Sequence, residues 1–170
     1  MGCTNCPCGN EAPRAGLLRG GCRNGAAGSA ELVASGEASV AADSLRFVLH
    51  DANPSSFAVL VSGDFALPAD PLSPCFGIDS GVAGGLLDGL RCVGGNVLRH
   101  GPRASDPNGD VGLSTPGWGP PDGPAGGLLA SSGFVSGQVR RFQVFYREAA
   151  GAVCATGQNT SQGVAVTFVP

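Results

Sequence analysis

The chain contains no lysine: its ten basic residues are all arginines, set against thirteen acidic residues for a formal net charge of −3. Only Arg140 and Arg141 are adjacent, so no basic stripe can follow a phosphate backbone, which excludes a nucleic-acid partner. No apolar run approaches the ~20 residues that a membrane-crossing helix requires. Residues 1–20 lack the continuous apolar stretch of a signal peptide, so export would require this chain to be part of a longer or processed one. There are no heptads and no amphipathic helix of useful length. Catalytic frames are missing too. No serine sits in a G-x-S-x-G elbow, and the two histidines have no acidic partner nearby in sequence beyond His50-Asp51, which argues against an enzyme. No cofactor is implied.

What the chain has in abundance is punctuation: 29 glycines and 13 prolines among 170 residues, with 42% hydrophobic residues in short alternating runs between them. That pattern predicts an all-β domain with long Gly/Pro-rich loops. In 44–50, Leu45, Phe47 and Leu49 share one face; in 55–64, Phe57, Val59 and Val61 do the same. The "DANPSS" between them reads as a hairpin turn. Residues 86–100 read as a second hairpin about Gly94-Gly95. Residues 101–127 read as loop. The strongest strand is 138–148, with Phe142, Val144 and Tyr146 on one face. The final 163–170 alternates as well and should pair with it. Seven to nine such strands predict an antiparallel two-sheet β-sandwich, Ig-like or jelly-roll-like, over residues 29–170. Residues 1–28 form a separate cysteine-stapled N-terminal segment.

Seven cysteines stand at 3, 6, 8, 22, 75, 92 and 154. Cys3-x-x-Cys6 has no second pair to complete a zinc site. It also has no preceding strand to make a thioredoxin-like motif. Disulfides are the remaining use, and they place the protein in an oxidising, extracellular setting. Cys3, Cys6, Cys8 and Cys22 are expected to form two bridges among themselves in one of three connectivities. Cys92 is expected to pair with Cys154, which would constrain the unfolded chain by ~4 kcal/mol. Cys75 is the odd one.

Two other constellations stand out. Asp106, Asn108 and Asp110 alternate like the first ligands of a calcium loop, but Val111 and Gly117 occupy the glycine and glutamate places, so an ordinary turn competes with that reading. Trp118, the sole tryptophan, lies in "TPGWGPPDGP". It either displays its ring for a sugar or a partner, or folds back over the end of the sandwich.

In order along the chain come "CPCGN" (6–10), "GC" (21–22), "SGEASVAADSLRFVL" (35–49), "DGLRCVGG" (88–95), "QVFYRE" (143–148) and "NTSQGVAVTF" (159–168). Together they resemble a disulfide-bonded β module found near the C-termini of large secreted proteins of planctomycetes and myxobacteria. The family's cysteines match positions 6, 8, 22, 92 and 154, while Leu87, Glu148-Ala149 and Gln158 depart from its usual pattern. The resemblance implies a bacterial, extracellular, non-catalytic module, structural or adhesive, whose partners are other domains of a larger secreted chain or surface components. A carbohydrate-binding module using Trp118 is the alternative, and a self-associating subunit of a surface assembly is a second one.

Overall fold

A computed structural model describes residues 6–11, 20–26, 28–67, 78–79, 87–124, 127–148 and 156–170. Its elements are β1 (Glu31–Ser35), β2 (Arg46–His50), β3 (Phe57–Gly63), β4 (Phe65–Ala66), β5 (Ile78–Asp79), β6 (Leu90–Arg91), β7 (Val93–Gly94), β8 (Leu98–Ala104), α1 (Leu128–Ser131), β9 (Val139–Arg147), β10 (Gln158–Thr160) and β11 (Val164–Thr167). The protein is mostly β, and its ladders are antiparallel. No helix among the described residues is long and apolar enough to cross a membrane.

The longest strands, β3 and β9, are rich in the β-branched and aromatic residues that suit a pleated surface. They pair from Ala58↔Tyr146 to Gly63↔Arg141 at the centre of a sheet ordered β10-β9-β3-β8. The C-terminal strand pairs with β9 as its alternation predicts, Val164 opposite Phe142 and Thr167 opposite Val139. β10 and β11 thus lie in succession along one edge of β9. β1 and β2 form a two-stranded sheet, Leu32 opposite Leu49. Both sheets contribute to one core, in which Leu32, Phe47 and Leu49 meet Leu60, Phe142, Val144, Tyr146, Val166 and Phe168. Its aromatic centre is close-packed: Phe47 and Phe142 have ring centroids 4.5 Å apart, and Phe134 stacks on Phe168 at 5.0 Å. Full burial of each such side chain stabilises by ~1.5–3 kcal/mol.

Neither expected hairpin forms. β2 pairs with β1, and β3 pairs with β8 and β9. The "DANPSS" segment carries the chain from one sheet to the other, because its backbone is bonded outward: Ala52 N to Gly109 O, Ser55 N to Asp106 O, and Asp51 O to the Asn24 amide. Its turn chemistry is real, with Asp51 and Ser55 at positive φ, but it joins strands of two different sheets. Around Gly94-Gly95, β7 pairs instead with β4, and Asp64 accepts from Asn96 N at 2.7 Å. Gly94 lies so close to the Phe65 ring that a Cβ would come within 2.7 Å of it. The strand β8 also runs into the expected loop, since Pro102 pairs opposite Val59 beside a register irregularity. β8 ends the sheet, and an edge position tolerates a residue with no N–H to donate.

Two side chains substitute for missing backbone. Gln162 accepts from Leu32 N at 2.9 Å and donates to Leu32 O at 2.8 Å, tying β1 to the turn before β11. Asp43 accepts from Leu129 N and Ala130 N, satisfying the start of α1 from across the fold. Gly127, at φ 91°, is required there: a Cβ would stand 2.1 Å from the Asp43 carboxylate.

Candidate functional site

The described part of the N-terminal segment does not hang free. Cys6 and Cys22 form a disulfide with Cα atoms 5.8 Å apart, and Cys8 is also disulfide-bonded. The Cys6–Cys22 bridge packs with Leu90 and Cys92 in a small buried cluster. Cys92 itself carries a free thiol whose sulfur lies 3.6 Å from Leu90 O. Its expected partner Cys154 lies outside the described residues, as do Cys3 and Cys75.

Beside the bridge lies a buried polar knot. Asn10 donates to Arg23 O at 2.8 Å and to Asp88 O at 3.1 Å. Gln143, on the face of β9 opposite the core, donates to Leu90 O and Ser161 O and accepts from Cys92 N, all within 2.9 Å. Asn159 donates to Glu148 Oε1 at 3.0 Å and to Arg23 O at 3.3 Å. Gly25 N also reaches Glu148 Oε1. Asp88, fully buried, accepts from the Thr156 hydroxyl and from Thr156 N. The Glu148 side chain meets the Asp88 carboxylate. Burial, and then the neighbouring Asp88, push Glu148 up to about 7, while the bonds from Asn159 and Gly25 pull the other way. Burial also raises the Tyr146 phenol, which lies beside Asn24. Among the described residues its hydroxyl and Glu148 Oε2 have no well-formed hydrogen-bond partner.

On the edge strand β8 a different arrangement opens to solvent. Arg99, His100, Arg103, Asp122, Gly123, Pro124, Leu128, Ser131 and Ser132 line a cleft of about 360 Å³. His100 is held from both sides, Nε2 at 2.9 Å from Ser62 Oγ and Nδ1 at 3.3 Å from Ser132 Oγ. Its ring rests near Phe134 and Phe142. Burial, then the charge of Arg140, lowers His100 to about 4, so the ring is neutral at physiological pH. Ser132 and His100 have the spacing of a nucleophile and base. An imidazolium would nevertheless be opposed by Arg140, and the far nitrogen faces a hydroxyl where a catalytic triad places a carboxylate. The arrangement fixes hydroxyls and charge; it does not favour proton uptake.

The calcium candidates fold as a turn. Asp106 Oδ1 accepts from Asn108 N at 2.8 Å and Asp110 N at 3.0 Å, and Oδ2 accepts from the Ser114 hydroxyl. The Ser114 bond, followed by the backbone donors, holds Asp106 below its ordinary value. Asp110 is turned away, toward His50 Nδ1 at 3.3 Å. Donors occupy the oxygens a cation would need, and no metal-competent group of three acidic, histidine or cysteine side chains occurs among the described residues.

Trp118 is not a displayed ring. It is 1% exposed, and its indole donates to Gly101 O at 2.9 Å. Phe47 N donates to Trp118 O at 2.8 Å, so the Gly/Pro segment is drawn against β2 and the ring closes one end of the core. Of the two readings of Trp118, the structure shows the one in which the ring folds back over the core, and a fully covered face cannot stack on a sugar.

Sequence reasoning missed both the cleft and the Asp88–Glu148 pair. The pair is separated by the whole β8–β9 course, and Arg99, His100 and Ser132 meet only because α1 folds back over β8. "DGLRC" and "YRE" were visible as motifs, and their acidic residues were the available signal. Comparison with protein-family models, curated proteins and solved structures returns no match.

Proposed function

We propose that the chain is a non-catalytic, extracellular structural or adhesive module of a secreted or cell-surface protein, folded as a two-sheet β-sandwich of Ig-like or jelly-roll-like type. On this reading it is akin to the module near the C-termini of large planctomycete and myxobacterial secreted proteins. Its partners are the other domains of that larger chain or surface components.

One observation carries the reading. The residues that make the resemblance distinctive converge on each other: Cys6 and Asn10 from "CPCGN", Cys22, Asp88 and Cys92 from "DGLRC", Gln143 and Glu148 from "QVFYRE", and Asn159 from "NTSQG". A motif set that builds a catalytic centre would present its side chains to a cavity. These are buried and bonded to one another, as residues are that lock a framework. The disulfide suits an oxidising compartment.

The test is production of the protein in an oxidising and in a reducing compartment, with non-reducing peptide mapping and thermal melting of each product. The reading expects a cooperatively melting protein with Cys6 joined to Cys22 from the first, and a poorly folded or markedly less stable one from the second. Equal melting temperatures with cysteines 6 and 22 reduced in both would remove the basis for an extracellular framework.

A further inference from the structure

The cleft on β8 has a composition unlike the rest of the chain. The molecule carries net negative charge, yet Arg99 and Arg103 line this cleft beside a neutral His100, with Arg46 next to its Asp122 and the charge of the buried Arg140 acting on His100. Three of the four guanidinium groups are engaged. Arg103 donates to Gly117 O, Pro102 O and Asp122 O; Arg140 pairs with Asp64 and donates to Asn96 O; Arg46 donates to Gly112 O and lies 3.8 Å from Asp122 Oδ2. Asp64 and Asp122 are thereby balanced, and Asp122 also accepts from Gly117 N. Arg99 is exposed, lines the cleft, and makes no hydrogen bond or ion pair among the described residues.

The hydroxyls are arranged to the same end. Ser62 is fully buried, and its Oγ lies 2.9 Å from His100 Nε2. In the tautomer with the proton on Nδ1, Ser62 donates to Nε2 and the ring donates to Ser132 Oγ, which leaves the Ser132 O–H free for a ligand in the cleft. Ser131 and Ser132 line the same wall, and Leu128 gives it a small apolar patch.

We propose that this cleft binds a small anionic group, a carboxylate or sulfate, with Arg99 as its charge partner and Ser132 as a hydroxyl donor. A planar guanidinium fork matches either group bidentately. The volume of about 360 Å³ falls at the lower end of ligand sites, which span about 300–1,000 Å³. An anionic monosaccharide unit would suit the adhesive role proposed above, and the proposal rests on that reading only for the source of the anion. The anion is either sugar-borne or free.

The experiment titrates the oxidised, folded protein with sodium glucuronate, glucose 6-sulfate, inorganic sulfate and neutral glucose, followed by calorimetry and amide chemical shifts. Glucuronate or glucose 6-sulfate should saturate a single site, with shifts confined to 98–103 and 128–132, and glucose should not. Saturation by inorganic sulfate with neither sugar anion binding supports the anion site and assigns it to a free anion. Arg99→Gln, at an exposed position, should weaken binding by about tenfold or more, and Ser132→Ala by about threefold. Arg147→Gln, exposed on β9 outside the cleft, should leave it unchanged. Raising the ionic strength should weaken it. No saturable binding by any anion, equal binding of glucose, or unchanged affinity in Arg99→Gln would overturn the proposal. Those failures would leave the disulfide-locked framework untouched, whereas a fold indifferent to reduction would sink the framework without bearing on the cleft.

Discussion

Replacing Glu148 with glutamine should stabilise the protein at alkaline pH and do nothing at acidic pH. Glu148 is 9% exposed and meets the fully buried Asp88. In the native state it holds its proton up to about 7, against 4.5 for an ordinary glutamate. A raised carboxyl value means that the native state binds more protons than the unfolded chain between those two limits. Stability therefore falls as pH rises through that window, and the full loss is present above it. At 1.36 kcal/mol per pKa unit the displacement corresponds to about 3 kcal/mol; water at the margin of the site reduces this to about 2 kcal/mol. A glutamine keeps the oxygen that accepts from Asn159 Nδ2 and Gly25 N, and its amide carries no charge to set against the neighbouring Asp88. The assay is guanidinium unfolding of parent and Glu148→Gln at about pH 4.5 and about pH 8, compared as a difference. The difference is needed because His100, lowered from 6.5 to about 4, has the opposite sign. Its native state resists protonation, so it costs stability as pH falls through that range and masks the Glu148 slope in the parent alone. The expected gain is about 2 kcal/mol at the higher pH and within about 0.5 kcal/mol of zero at the lower. A variant less stable than the parent at high pH, or a difference independent of pH, would refute the buried-pair argument.

Other outcomes follow from the same geometry. Cys6→Ser with Cys22→Ser, closing no loop across a sequence separation of 16, should lower unfolding free energy by about 3 kcal/mol with the fold retained in dilute buffer, as read by denaturant midpoint. Trp118→Ala should cost about 3–5 kcal/mol, because it empties a fully buried site and orphans Gly101 O; polysaccharide pull-down before and after should show no binding that depends on this ring. Deleting residues 163–170 removes β11 and the buried Val166 and Phe168, a loss of several kcal/mol at ~1.5–3 kcal/mol each. The truncated chain should aggregate, and cooperative melting near the parent temperature would contradict the placement of β11 in the core. His100→Phe should flatten the acid limb of the stability profile below about pH 6.5, measured by thermal melts across pH.

Alternation made the long strands legible. In β9, in β11 and at the residue after it, alternation placed Phe142, Val144, Tyr146, Val166 and Phe168 on the buried face and even joined the two strands, because a half-buried strand writes its facing into period two. The same signal could not pair β2 or β3 correctly. A turn sequence such as "DANPSS" specifies local dihedrals, and whether the chain reverses or passes to another sheet depends on distant acceptors such as Gly109 O and Asp106 O. Gln143 shows another limit. It sits on the nominally outer face of β9, yet it is fully buried beneath the 88–94 segment, which no strand-level pattern could place. Trp118 was ambiguous for a related reason: a Gly/Pro stretch leaves no facing to read, and the ring's burial is decided by the bridge that Trp118 makes to Phe47. Of the site residues, Cys6 and Cys22 could be read as disulfide cysteines, though not as each other's partners.

Native-state hydrogen exchange tests most directly the claim that the motif residues form one locked framework with the core. The amides to follow are Arg23 (bonded to Asn10 O), Asp88 (to Gln158 O), Cys92 (to Gln143 Oε1) and Ser161 (to Val144 O), with those of the β3–β9 ladder as reference. If the knot and the Cys6–Cys22 bridge belong to the core, these four amides exchange only through global unfolding, with the same opening free energy as the ladder, and reduction of the disulfide lowers all of them together. Exchange of Arg23 and Cys92 through a far cheaper local opening, with the ladder still protected and insensitive to reductant, would show that the cysteine-bearing segment is an appendage and contradict the account.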